Sequence, residues 1–113
     1  MGKILMRADG FDGQVELTKD RVIIHRQGVW NLFKYGLNAR REIPLVAISE
    51  VVFKPPLMLG LGQIEFVRSG RSPDEQKKTN YSAVKFKKAN APQFEALKEK
   101  IFELIEEHSR HNH

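Results

Sequence analysis

Hydrophobic and polar positions alternate with period two over most of the chain and switch to a helical period near its end. Gln14-Val15-Glu16-Leu17-Thr18 alternates apolar with polar, Lys19-Asp20 breaks the run, and Arg21-Val22-Ile23-Ile24-His25-Arg26 returns. Successive side chains of a strand point to opposite faces, so two such runs around a short polar break predict an antiparallel hairpin. Asp9-Gly10 and Asp12-Gly13 are turn dipeptides, which leaves a short lead-in strand near Ile4 to Arg7 ahead of it. Arg40 to Leu45 and Ala47 to Lys54 predict two more strands, with Pro44-Leu45 at the bend between them and Pro55-Pro56 ending the second. Gln63-Ile64-Glu65-Phe66-Val67-Arg68 alternates again. Tyr81 to Lys88 predicts the last strand, with Val84 and Phe86 on one face and Lys85 and Lys87 on the other.

The end of the chain has a different period. Phe94, Leu97, Ile101, Leu104 and His108 recur at spacings of three and four, Ile105 widens the stripe, and Glu95, Glu99, Glu103, Glu106 and Glu107 lie mostly off it. This predicts an amphipathic helix over about 91–108 whose apolar face must cover something. Asn90-Ala91-Pro92-Gln93 supplies an N-cap side chain, a proline in the first turn and a capping-box glutamine. Three segments fit neither period. Residues 28–39 predict a loop or a single helical turn, residues 57–62 an apolar loop punctuated by glycine, and Ser69 to Asn80 a polar, disordered loop. The fold class that follows is mainly β with one C-terminal α-helix: two antiparallel sheets forming a partly open barrel, capped by the helix. A lead-in over 1–9, one domain over 10–108 and a tail over 109–113 complete the division.

Composition narrows the chemistry. The chain has 113 residues, 41% hydrophobic and 29% charged, which suits one soluble globular domain with one core. It contains no cysteine, which removes disulfides, thiolate catalysis, Cys-based zinc sites and iron–sulfur clusters. The net charge of +5 is unevenly placed: residues 1–88 hold 16 Lys/Arg against 9 Asp/Glu, whereas residues 89–113 hold 3 against 5. A basic field of this kind favours acidic partners. The opening Met-Gly-Lys-Ile-Leu-Met-Arg is too poor in apolar residues for a signal segment, and no run reaches the ~20 apolar residues a membrane helix needs. A cytoplasmic protein is expected.

Several short segments, taken in order, resemble a known family. They are Asp12-Gly13-Gln14-Val15-Glu16-Leu17-Thr18, Asp20-Arg21-Val22, and Glu42-Ile43-Pro44-Leu45 with Ile48 close behind. Phe53-Lys54-Pro55, Gly62-Gln63-Ile64-Glu65-Phe66, and Val84-Lys85-Phe86 before Phe94-Glu95-Ala96-Leu97 complete the set. In order and spacing the chain resembles the small bacterial pleckstrin-homology-like domains of unknown function over roughly residues 10–106. The resemblance implies a seven-stranded, two-sheet, partly open barrel closed by a C-terminal helix. It implies a binding module for phosphoinositides, peptides or partner proteins, and fold alone does not choose among these.

The residues predict no catalytic group, no metal site and no cofactor. Serines stand at 49, 69, 72, 82 and 109, none in a Gly-x-Ser-x-Gly elbow and none beside a histidine in a recognisable motif. No phosphate-cradling glycine loop is present, since Gly60 and Gly62 stand alone. His25 reads as a half-exposed sheet residue, and His108 and His111 as tail residues rather than metal ligands. What stands out is apolar. Val29, Trp30, Leu32, Phe33, Tyr35 and Leu37, and again Leu57, Met58, Leu59 and Leu61, sit in loop-like stretches. Burying one aromatic of ~150–250 Å² is worth at most roughly 4–6 kcal/mol, against about 1 kcal/mol for one basic residue near an anionic bilayer. Where those side chains go therefore matters more than the charges, and core, partner surface and membrane remain open. The expected partner surface is Val29, Trp30, Leu32, Phe33, Tyr35, Leu57, Met58 and Leu59, contacting a protein or a second copy as a homo-oligomer. The expected anion or head-group set, forming its rim, is Arg26, Lys34, Arg40, Arg41 and Lys54. Arg68, Arg71, Lys77, Lys78, Lys85, Lys87 and Lys88 form a second basic group. Peripheral contact with anionic lipid is the alternative. Nucleic acid is the weakest candidate, because the neighbours of Lys85, Lys87 and Lys88 on that strand offer no outward aromatic for stacking.

Overall fold

The computed structural model of the chain describes residues 3–26, 40–58, 60–69 and 82–111. The loop expected at 28–39 lies outside them, as does the polar stretch after Ser69. Seven strands are described: β1 (Met6–Asp9), β2 (Gln14–Leu17), β3 (Arg21–His25), β4 (Arg40–Pro44), β5 (Ile48–Lys54), β6 (Gly62–Arg68) and β7 (Ala83–Phe86). They form two antiparallel sheets, one ordered β1-β2-β3-β4 and one ordered β5-β6-β7, followed by α1 (Ala91–His111). The predicted fold class is therefore observed, as an open pair of sheets rather than a closed barrel.

Alternation explains the core. Val15 and Leu17 on β2, Val22 and Ile24 on β3, and Ile43 on β4 turn inward and are fully or nearly fully buried. Ile64 and Phe66 on β6 and Val84 and Phe86 on β7 meet them from the second sheet. The helix contributes the expected stripe: Phe94, Leu97 and Ile101 are completely buried and Leu104 nearly so. At about 1.5–3 kcal/mol for each buried large apolar side chain, that face is what holds the helix to the sheets. The Phe86 ring stacks on Phe94 at 4.5 Å between centroids and on Phe53 at 5.6 Å, joining the second sheet to the first turn of the helix. Gly62, paired with Phe86 across the strands, leaves room for that ring; a Cβ there would run into its edge.

Four local expectations are corrected. The lead-in strand runs over Met6–Asp9 rather than Ile4 to Arg7, pairing with Leu17 to Gln14, and Ala8 on it is fully buried. The first strand covers an edge of the hairpin that would otherwise leave its backbone groups bare. The last strand ends at Phe86 rather than Lys88, because Lys88–Asn90 already coils into a 3-10 turn that runs into α1. The helix runs past the expected end at 108 to His111. The capping box does not form: the Asn90 N–H donates to the Lys87 carbonyl at 2.9 Å. Gln93 Oε1 instead accepts the Asp9 N–H at 3.1 Å, tying the start of α1 to β1. At the other end the His108 ring Nε2 lies 2.9 Å from the Lys19 carbonyl, so as a donor it fastens the last turns to the β2–β3 turn. Among the described residues no helix is long and apolar enough to cross a membrane.

Candidate functional site

Arg26, placed in the expected basic rim, lies inside the protein instead. Arg26 is 1% exposed, with no accessible guanidinium surface, and therefore cannot border an outer site. Its Nη2 donates to the Ala83 carbonyl on β7 and its Nη1 to the Asp12 carbonyl at 3.3 Å, with the Asp12 carboxylate 3.8 Å away. The physical reason is a gap between the sheets. Backbone groups of β7 that face away from β6 need partners, and a buried carbonyl left bare is costly. The β1–β2 turn supplies the rest: Phe11 N–H donates to the Lys85 carbonyl at 2.7 Å, and the Lys85 N–H donates to Asp12 Oδ1 at 2.8 Å. Gly10 permits this approach, since a Cβ there would lie 2.6 Å from Val84 Cγ1 and 2.8 Å from the Lys85 carbonyl. Arg26 is thus a bolt through the seam between the two sheets.

The other described members of that set are Arg40, Arg41 and Lys54. Arg40 is exposed and lies 3.7 Å from Glu42 on the same strand, while half-buried Arg41 stands opposite Ile24. Lys54 is exposed on the second sheet, and Lys34 lies outside the described residues. The outer face of β4 carries a compact ion cluster: Arg21 Nη1 donates to Glu42 at 2.8 Å and Arg21 Nε to Asp20 at 3.2 Å. Hydrogen bonds from Arg21 hold both carboxyls below their ordinary values, helped at Asp20 by the Thr18 hydroxyl. Next to it His25 Nε2 sits 2.5 Å from Glu16 in a half-buried pair, as expected of a sheet histidine.

Of the expected apolar surface, Leu57 and Met58 lie among the described residues. Val29, Trp30, Leu32, Phe33 and Tyr35 lie outside the described residues, as does Leu59. The stem of their segment begins at Arg26, against the Ala83 end of β7, whereas the 55–62 loop returns at Gly62, against the Phe86 end.

The β5–β6 loop is the outstanding feature that remains. Pro55 and Pro56 stiffen its entry. The Gly60 N–H donates to the Leu57 carbonyl at 2.6 Å, closing a turn in which Met58 has φ 41°. That left-handed conformation suits glycine or asparagine and costs a side-chain-bearing residue roughly 1–2 kcal/mol. The same turn lifts its side chains clear of the protein: Met58 is 91% exposed, Leu57 76% and Leu61 43%. Two lysines stand at its base, Lys54 exposed and Lys98 with Nζ 4.8 Å from the Phe53 ring centre.

Ile4, Leu5, Phe11, Val46 and Phe102 are further exposed apolar residues that escaped the sequence reading. Val46, in the 3-10 turn Leu45–Ala47, is 73% exposed, and Phe102 on α1 is 46% exposed beside half-buried Ile105. The signal for Phe102 was its spacing of three from Ile105, which extends the stripe around the helix. Val46 offered none, since an apolar residue flanked by leucine and alanine reads as core. No protein-family model matches the chain, and no curated protein or solved structure matches it either.

Proposed function

We propose that the chain is a pleckstrin-homology-like binding and assembly module without catalytic activity, which contacts a protein, foremost a second copy of itself, through the 55–62 loop. The observation that carries this reading is Met58, held at positive φ with its side chain almost wholly in solvent beside exposed Leu57. Backbone strain and apolar exposure at one tip both cost stability in the isolated chain, and burial of the exposed apolar groups by a partner would offset that cost. The four-plus-three sheet order with its terminal helix agrees with the layout the family resemblance implies. The aromatics at 28–39 belong to this reading as a second contact segment.

Glycine at position 58 relieves the strain and removes the side chain at once, which separates folding from binding. Met58→Gly is expected to raise the midpoint of thermal unfolding by a few degrees, about 1 kcal/mol, while weakening self-association in a light-scattering concentration series. Leu57→Ser should weaken association with little change in melting. A mass independent of concentration, the same for the natural chain and both variants, would overturn self-association through this loop.

Peripheral binding to anionic lipid is a second reading of the same tip, favoured by exposed Lys54 at its base. It requires sedimentation with anionic vesicles that added salt suppresses; no sedimentation with them, or equal retention on neutral vesicles, overturns it.

A further inference from the structure

We infer that the outer edge of β5 is the docking surface for a second copy of this chain, paired antiparallel β5 to β5 about a twofold axis at Val52. The inference rests on the self-association reading above and names its geometry. It begins with which backbone groups of β5 are spare. Phe66 donates its N–H to the Ser82 carbonyl at 2.9 Å, toward β7. In an antiparallel ladder alternate residues serve opposite neighbours, so Gln63 and Glu65 serve β5. Their partners in register are Lys54 and Val52. Val51 and Phe53 therefore turn N–H and C=O outward, off the end of a sheet whose order is β5-β6-β7. Among the described residues no strand pairs with that edge. Along the first half of that edge α1 leaves a cleft of about 150 Å³, lined by Ile48, Ser49, Glu50, Val51, Phe102 and Ile105.

Charge and parity select the occupant and the register. Outward-facing residues must meet outward-facing residues, which restricts the twofold axis to a residue position rather than a point between two. An axis at Glu50 sets Glu50 against its own copy. An axis at Phe53 brings Pro55, which has no N–H, into the ladder opposite Val51. An axis at Val51 sets Glu50 against Val52 and pairs no charges. An axis at Val52 places Val51 against Phe53 in the hydrogen-bonding positions and Glu50 against Lys54, twice over by symmetry. Both charged residues are exposed, and neither has an ion-pair partner within the chain among the described residues. The same arrangement brings the beginning of one β5, preceded by exposed Val46, alongside the end of the other, followed by exposed Leu57 and Met58. Apolar groups left bare at the two ends of one strand would cover each other across the axis.

The absence of cysteine makes the register directly testable in the full chain. Two Val52 residues facing each other in a non-hydrogen-bonded pair have Cα atoms about 4.5 Å apart, within disulfide reach. Val52→Cys is expected to give a covalent dimer on mild oxidation, whereas Lys19→Cys, exposed on the other sheet, is not. Glu50→Lys and Lys54→Glu should each weaken dimerisation about tenfold in sedimentation velocity, with the double exchange E50K/K54E restoring it to within about twofold. Restoration by the double exchange distinguishes reciprocal pairing from a general charge effect. If the chain dimerises but Val52→Cys stays monomeric and the charge variants are silent, β5 pairing is overturned while self-association through another surface stands. A monomer throughout the concentration series overturns the pairing and the self-association reading together.

Discussion

The two outer edges of the three-stranded sheet are treated in opposite ways. Along β7, every outward backbone group named above has been given a partner from the other sheet: Phe11, the Asp12 carboxylate and the Arg26 guanidinium. Along β5, no strand pairs with the edge among the described residues, and Val51 borders a cleft. An unpaired edge is a template for another strand, and natural proteins blunt such edges unless they use them. The protein closes one seam with parts of its own chain, whereas at the other no strand pairs with β5 among the described residues. The devices differ as well: the closed edge uses a buried cation, the open one exposed and complementary charges.

Breaking the closed edge should have the largest consequence. Arg26→Leu keeps apolar bulk but leaves the Ala83 and Asp12 carbonyls without their donor, and is expected to cost about 3 kcal/mol in urea unfolding. A loss below about 1 kcal/mol would show that the bolt is dispensable. Asp12→Ala removes the acceptor for the Lys85 N–H and the neighbour of Arg26, for about 1–2 kcal/mol, and Asp12→Asn should recover much of it. At the open edge the same measurement should barely move: Glu50→Lys and Lys54→Glu are expected to change monomer stability by less than about 0.5 kcal/mol while changing association. A large folding defect there would mean that β5 is supported by its own chain after all.

The smallest expected effect concerns the Asp20–Arg21–Glu42 cluster, remote from both edges. Both carboxyls are held below their ordinary values in the folded chain, so the unfolded chain binds protons more readily in acid. The contribution is complete above the ordinary carboxylate range and is lost as pH falls through the lower folded-state values. Arg21→Gln should flatten the decline of the thermal midpoint between about pH 5 and about pH 3, a modest change because the groups are exposed. An unchanged acid limb would remove the cluster from the ledger of stabilising contacts.

Periodicity along the chain was enough for the strands, the hairpin at Lys19-Asp20 and the helix stripe from Phe94 to Leu104, because each depends on which side of one element is apolar. It was enough, too, to single out Leu57 and Met58 as apolar residues with no face to occupy. It could not place Arg26, which reads as one more surface cation and ends inside the seam. Nor could it show that Gln93 serves β1 instead of its own helix, or that Val46 is bare. Those outcomes depend on which backbone groups remain unpaired once two sheets and a helix have packed. That is a property of segments distant in sequence, decided only when a donor such as Arg26 and an acceptor such as the Ala83 carbonyl, 57 positions apart, are brought together.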